Sequence, residues 1–337
     1  MNTQGKAMSH PTHKFQLLLR REFWEHKGGF FWAPLVAGGI FVLLSLMGFG
    51  VGEMAARRAT GDFQVDGNRV QINGLDLSAV TRNMDAEQMR HLGEGVDLSL
   101  VMASAWPLIA LAFVVFFYCL GALYDDRKDR SVLFWKSLPL SDAQTVLSKV
   151  ASALLVAPAI ATVAALATML AFLLVASAMV LMHGGNPVAL LWGPGSPMLV
   201  LGEVLACIPV YALWAMPTVG WLMLCSAWAK SKPFLWAVMI PVFAGIFVTW
   251  FDLMQAFDLQ AGWFWAHVVR RVLLGTIPGG WMADGDMEVH NPLQLTQALH
   301  PANTYAVLGT PELWIGVLAG AAMIFAAIRL RRWRDDN

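Results

Sequence analysis

Long apolar stretches alternate with polar ones along this chain and predict helices that cross a membrane. A helix needs about 20 apolar residues to span the hydrocarbon core of a bilayer. The stretches that meet this length are residues 30–52, 98–124, 150–182, 198–229, 233–251 and 312–330, which we call spans 1 to 6. The pattern therefore predicts an all-α integral membrane protein with six transmembrane helices.

The third stretch is longer than a straight crossing requires. Residues 150–182 contain no charged side chain, and at about 1.5 Å per residue they would form a helix roughly 50 Å long. We expect this helix to tilt, to bend near Pro158, or to project from the bilayer.

Composition agrees with a membrane protein and excludes several other classes. Only 14% of the residues are charged, against roughly 25% in soluble domains. The formal net charge is zero, so no overall field favours a nucleic-acid partner. Cys119, Cys207 and Cys225 lie inside apolar runs without metal-ligand spacing. This placement favours small buried hydrophobes over a disulfide framework or a metal site.

The distribution of Lys and Arg predicts the orientation of the spans. If the N-terminus is cytoplasmic, more than two thirds of the 23 Lys and Arg residues fall on the cytoplasmic side, as the positive-inside rule requires. The opposite topology would reverse this bias. Because the number of spans is even, we expect both termini in the cytoplasm, with residues 331–337 as a short tail.

Two long polar segments are expected on the outer side. Residues 53–97 alternate apolar and polar positions around Val65 and Val70, which indicates a short hairpin. Residues 252–311 include a stretch from Gly262 to Leu274 that combines tryptophans and branched apolar residues with two arginines. Because Trp favours the membrane interface, this stretch fits a helix that lies on the outer leaflet or dips into it. A small exterior subdomain with its own core is the alternative.

Residues 1–29 precede span 1 and contain an apolar stripe. Phe15, Leu18 and Phe23 recur at helical spacing beside basic residues, a pattern typical of a helix that lies in the plane of the membrane. Glu22 and His26 interrupt the stripe. We still expect an in-plane cytoplasmic helix here.

The loop between spans 2 and 3, residues 125–149, carries the most specific pattern. A dense run of mixed charge precedes an apolar and aromatic stretch, Ser131 to Leu138, which is too short to span the bilayer. Pro139 stops a helix because it lacks an amide hydrogen, and Ser141 with Gln144 predicts a capping box that starts the next one. Exposed aromatic side chains at this place need a partner surface. Alternatively, they fold back onto the lipid headgroups as an aromatic belt.

The loop resembles the first cytoplasmic loop of bacterial type-2 ABC transporter permeases. Many of these proteins have an acidic and basic run after span 2, followed by a phrase like the DRSVLFWKSLPLSDAQTVLSK seen at residues 129–149. Six spans, cytoplasmic termini, an in-plane N-terminal helix and an outer segment between spans 5 and 6 extend the resemblance loosely over the chain. The two large outer segments depart from the most compact members of the family.

The resemblance implies the permease subunit of an ATP-driven exporter in the bacterial cytoplasmic (inner) membrane. Two permease copies, identical or homologous, would work with two nucleotide-binding ATPase subunits that hold ATP and Mg, and this chain would have no catalytic site or cofactor of its own. The residues implied to dock on the ATPase, as a coupling helix, are Ser131, Val132, Leu133, Phe134, Trp135, Lys136 and Leu138. The residues implied to form rim or gate charges are Asp126, Arg127, Lys128, Asp129 and Arg130. The implied cargo is an unidentified amphipathic or hydrophobic substrate that leaves the cytoplasm or the inner leaflet.

Other functional classes fit the sequence less well. There is no G-x-x-x-x-G-K-[ST] motif, so any ATPase must be a separate polypeptide. Ion-coupled carriers usually hold ionisable groups near the bilayer midplane, whereas Glu53 and Glu203 lie near the outer ends of spans 1 and 4. These two acids are candidates for cargo contact at the outer mouth, or are simple boundary charges. A non-transporting membrane scaffold or sensor would explain the hydrophobicity but not the loop.

Overall fold

The computed structural model describes residues 11–58, 62–65, 68–71, 77, 84–128, 141–254, 260–283 and 294–334. Six of its helices are long and apolar enough to cross a membrane, which confirms the prediction of an α-helical, multi-pass membrane protein. These six are Gly28–Ala55, Ala86–Lys128, Asp142–Met182, Pro197–Trp214, Pro233–Leu253 and Pro311–Arg332. The predicted coupling helix, within residues 129–140, lies outside the described residues.

We number the helical elements in chain order. The α-helices are α1 (Pro11–Glu25), α2 (Ala33–Arg58), α3 (Ala86–Ala122), α4 (Tyr124–Lys128), α5 (Asp142–Ala151), α6 (Ala157–Met182), α7 (Pro197–Trp214), α8 (Met216–Trp228), α9 (Pro233–Leu253), α10 (Ala261–Phe264), α11 (Arg270–Leu274), α12 (Gln294–Leu299), α13 (Pro301–Ala306) and α14 (Pro311–Arg334). π-helical turns occupy Gly28–Trp32, Ser152–Val156, Val188–Trp192 and Trp265–Val269, and 3₁₀ turns occupy Gly280–Ala283 and Val307–Gly309.

Two short antiparallel strands follow α2. Strands β1 (Asp62–Val65) and β2 (Asn68–Gln71) pair with Asp62 opposite Gln71 and Val65 opposite Asn68. They occupy the segment whose alternation indicates a hairpin.

Span 3 begins with the predicted capping box. The Ser141 side chain accepts a hydrogen bond from the Gln144 amide at 3.2 Å, and the Gln144 side chain accepts one from the Ser141 amide at 3.2 Å. The π-helical turn Ser152–Val156 lies directly before Pro158. Since proline has no amide hydrogen, the regular helical bond is lost there, and the wider turn accommodates its ring. The irregularity in this long helix therefore lies where the sequence predicts a bend.

Span 4 is divided, whereas the sequence analysis treats residues 198–229 as one stretch. Helix α7 ends at Trp214 and α8 begins at Met216. The cause is Pro217, which cannot donate a hydrogen bond to the carbonyl four residues earlier.

The helix ends define two opposite sides of the molecule. Helix α1, Lys128, Asp142, Trp228 and Arg331 lie at one side, which we call the basic end. The opposite side, the long-loop end, holds the end of α2 and the start of α3, the end of α6 and the start of α7, and the end of α9 and the start of α14. Both described termini of the chain therefore lie at the basic end.

Close backbone contact joins spans 4 and 6. A Cβ atom on Gly220 would lie 2.5 Å from the carbonyl oxygen of Gly320, and one on Gly320 would lie 2.5 Å from that of Met216. Only glycine permits this approach, which gives the tight van der Waals packing typical of membrane helices. Helices α8 and α14 thus form a closely packed pair.

The segment that follows span 5 packs against the spans. The Trp265 indole donates a hydrogen bond to Thr249 Oγ1 in α9 at 2.9 Å. Farther along, Thr218 in α8 donates to the Arg271 carbonyl at 2.6 Å, and Tyr211 in α7 donates to the Thr276 carbonyl at 3.2 Å. These contacts attach residues 265–276 to α7, α8 and α9.

Candidate functional site: a buried ion network

Glu22 is the first member of a group of buried charges at the basic end. Helix α1 turns Glu22 toward the spans together with Leu18, and both side chains are buried, with Glu22 at 0% exposure. The Tyr118 hydroxyl, in α3, donates a hydrogen bond to Glu22 Oε2 at 2.9 Å. The acid that interrupts the apolar stripe therefore lies at the centre of the contact face.

Lys149 supplies the charge that compensates Glu22. It lies in α5, two turns after the capping box, and is only 2% exposed. Its Nζ atom lies 3.2 Å from Glu22 Oε1 and 3.6 Å from Asp126 Oδ2. One buried ammonium thus joins the N-terminal helix to the ends of spans 2 and 3.

Arg331, near the end of span 6, completes the group. Its Nη1 lies 3.4 Å from Asp126 Oδ2, and its Nε lies 3.4 Å from Asp142 Oδ1. We call Glu22, Asp126, Asp142, Lys149 and Arg331 the ion network. Asp126 lies three residues before residues 129–140, and Asp142 lies two residues after them. One guanidinium therefore contacts an acid on each side of the predicted coupling helix.

The ion network is held together by its charges and would be costly to break. Acidic and basic side chains alternate along the ion network, so each buried charge has an opposite charge within 4.0 Å. Removing one partner of such a buried pair leaves an uncompensated charge in a region of low dielectric constant. The helix ends that these side chains join therefore cannot separate without exposing or isolating a charge.

Arg127 attaches the same turn to span 4. Its guanidinium donates hydrogen bonds to the carbonyls of Ser226 and of Ala229, the latter at 3.0 Å. The Ser226 hydroxyl in turn accepts hydrogen bonds from the backbone amides of Leu123 and Tyr124, both at 3.0 Å. A cation at a helix C-terminus satisfies carbonyls that lack a helical partner and interacts favourably with the helix dipole.

The structure distinguishes among the charges predicted at the rim or gate. Asp126 is buried in the ion network, Arg127 caps α8, and Lys128 is exposed. Asp129, Arg130 and the docking residues Ser131 to Leu138 lie outside the described residues.

The two outer-mouth candidates are not equivalent. Glu203 is buried and precedes Val204, which lines an apolar cavity of about 220 Å³ between α3, α6 and α7. Glu53 is half-buried in α2 and is not among the residues that line this cavity. Neither acid belongs to the ion network, which lies at the opposite end.

Sequence reasoning missed the role of Glu22, Lys149 and Arg331. It treated Glu22 as a defect in a stripe and used the two cations only to orient the chain. A usable signal was present, since Glu22 occupies a helical position shared with buried apolar residues, and a charge on such a face requires a partner.

No protein-family model, curated protein or solved structure matches the chain. The resemblance to type-2 ABC permeases therefore stays a prediction that rests on the loop sequence. Within the described part of the chain, no three His, Cys, Asp or Glu side chains are grouped so that they could hold a metal ion.

Proposed function

We propose that this chain is the membrane subunit of an ATP-driven exporter of the type-2 ABC class. A separate ATPase, which binds ATP and Mg, docks on the coupling helix within residues 129–140. A second permease copy, identical or homologous, completes the pathway. The complex works in a bacterial cytoplasmic membrane, with the basic end in the cytoplasm, and exports an amphipathic or hydrophobic substrate.

The observation that carries this proposal is that Arg331 contacts acids on both sides of the loop. Its contacts to Asp126 and Asp142, both at 3.4 Å, attach the two ends of the loop to a single side chain. Two spans can be connected without such an attachment. A loop that receives force from a partner needs it, because loosely held loop ends would move without moving the spans.

The ion network also supplies the route for that movement. In this route, the ion pair of Lys149 with Glu22 couples span 3 to α1. Arg331 couples the loop to span 6, and Arg127 couples it to span 4. The Gly220 and Gly320 contact then moves spans 4 and 6 together. Four of the six spans and α1 are thus coupled to the loop by direct contacts.

The position of the ion network favours an external energy source over ion coupling through these charges. The ion network lies at the helix ends of one side, whereas a proton or sodium relay usually lies near the midplane. The mutual contacts of these charges also occupy them structurally, so they are poorly placed to exchange an ion during transport.

Docking is tested by co-purification with a candidate P-loop ATPase that is expressed together with this chain. Trp135→Asp should reduce recovery of the complex and lower stimulation of ATPase activity, since a buried carboxylate opposes an apolar contact. Trp24→Asp is the control, because Trp24 is an exposed tryptophan in α1, outside the loop. Normal complex formation and normal ATPase stimulation in Trp135→Asp would contradict the docking assignment.

A further inference from the structure

Arg271 is a buried cation that the ion network does not include. It lies in α11, within the segment that packs between spans 4, 5 and 6, and is 8% exposed. It packs against Gly316, five residues after the start of α14, or roughly 7–8 Å along that helix. A charged side chain buried among membrane-spanning helices is expensive, and such residues usually serve a substrate or ion pathway.

No acid among the described residues contacts the guanidinium. Among the described residues, its Nε and Nη2 atoms are buried without a hydrogen-bond partner, and no carboxylate lies within salt-bridge distance. Glu312 interacts with it electrostatically at longer range, but the Glu312 carboxylate lies 3.5 Å from His267 Nε2. The Trp214 ring covers one face of the guanidinium, with Cζ 4.0 Å from the ring centroid. Trp214 thus orients the cation by a cation–π contact but does not neutralise it.

A cavity of about 310 Å³ lies beside this cation. It is lined by Arg270 and Arg271, by Trp214, and by the glycine-rich turn that includes Gly275 and Gly279. Guanidinium groups bind carboxylates and phosphates through paired, charge-assisted hydrogen bonds. The cavity therefore has the charge and the space for an anionic head group.

An apolar cavity adjoins the basic one. It is the cavity of about 220 Å³ next to Val204, and it shares Ile277, Pro278 and Gly279 with the basic cavity as lining residues. Its remaining walls are almost entirely apolar, and include Trp281 and Met282. A charged cavity next to an apolar one fits a ligand with an anionic head and a hydrocarbon tail.

We propose that Arg271 and the turn Gly275–Gly280 form a binding site for a single-chain amphiphile with a carboxylate or phosphate head. Arg271 binds the head, and the adjoining apolar cavity takes part of the tail. The site does not depend on the ATPase partner, and it exists whether or not the chain is an exporter.

The test measures binding to the full chain in detergent micelles, with oleate as the probe. Oleate should bind saturably to the unsubstituted protein, and Arg271→Gln should weaken binding about tenfold or more, the loss expected for a charge-assisted hydrogen bond. Arg329→Gln is the matched control, because Arg329 also stacks on an aromatic ring, Phe325, but lies at the basic end. Its affinity for oleate should not change.

Three further probes separate the head from the tail. Acetate and inorganic phosphate, which have no tail, and oleyl alcohol, which has no charge, should all bind much more weakly than oleate. Equal affinity for acetate or phosphate would show a simple anion site and would overturn the amphiphile proposal. Equal affinity for oleyl alcohol would show partition into an apolar cavity and would overturn the role of Arg271.

Two additional measurements distinguish a loss of oleate binding from misfolding of the variant. Removing a buried charge that no described acid contacts should leave the Tm of ligand-free Arg271→Gln unchanged or higher. A lower Tm with unchanged oleate affinity would assign Arg271 a purely structural role. Gly316→Ala keeps the charge but places a Cβ 2.6 Å from Arg271 Nη2, so the guanidinium must move. This variant should also bind oleate several-fold more weakly, and undiminished binding in both folded variants would refute the site.

Discussion

Replacement of Lys149 by methionine is the most direct test of the ion network. The substitution preserves the length of the side chain and removes the ammonium that lies 3.2 Å from Glu22 and 3.6 Å from Asp126. Removing one partner of a buried ion pair typically costs about 3–5 kcal/mol. Glu22 would keep the Tyr118 hydrogen bond at 2.9 Å and Asp126 would keep Arg331 at 3.4 Å. We therefore expect the lower end of that range, about 3 kcal/mol.

The measurement is reversible unfolding in mixed micelles, followed by circular dichroism as the denaturing detergent is increased. Arg21→Met is the control. Arg21 lies next to Glu22 in α1, and it pairs with Glu25 at 3.1 Å on a partly exposed face of that helix. A surface pair of this kind contributes only about 0.2–1 kcal/mol. Adding Glu22→Gln to Lys149→Met should restore part of the lost stability. The uncharged amide of Gln can still accept the hydrogen bond from the Tyr118 hydroxyl. The reasoning is refuted if Lys149→Met costs no more than Arg21→Met, or if Glu22→Gln lowers the stability of Lys149→Met further.

Two other predictions concern contacts that join the spans. Arg127→Gln should lower the free energy of unfolding by about 1.5–3 kcal/mol through loss of charge-assisted bonds to the end of α8, while Lys128→Gln, at an exposed position, should have little effect; equal effects would exclude the capping role. Gly320→Ala should cost about 1–3 kcal/mol from overpacking against Met216, whereas Gly39→Ala, where an added Cβ meets nothing within 4 Å, should be nearly neutral. Denaturation of the four purified variants in micelles checks both predictions, and a neutral Gly320→Ala would show that spans 4 and 6 do not form a close pair.

Local patterns predicted the elements that local forces determine. Apolar run length gave the six spans, because one crossing requires a fixed number of apolar residues. The capping box at Ser141 and Gln144 was also predictable, since both partners lie within one turn. The irregularity before Pro158 follows in the same way from a missing amide hydrogen.

The candidate site depends on contacts that no local pattern records. Lys149 is 127 residues from Glu22, and Arg331 is 205 residues from Asp126. Periodicity shows that Glu22 shares a face with apolar residues, but not which distant cation will meet it. The division of span 4 was different, because Pro217 could have predicted it, and the apolar run hid the signal.

The late position of Arg331 in the chain has a consequence for biosynthesis. Asp126 and Arg331 are separated by 205 residues, which at roughly 5–20 residues per second take about 10–40 s to synthesise. Until Arg331 is made, Asp126 and Asp142 both lack their guanidinium, and Lys149 is the only cation of the ion network. A chain that ends before span 6 would therefore hold Glu22, Asp126 and Asp142 with Lys149 as their one cation within the ion network, so the charges balance best only when the last span has been made.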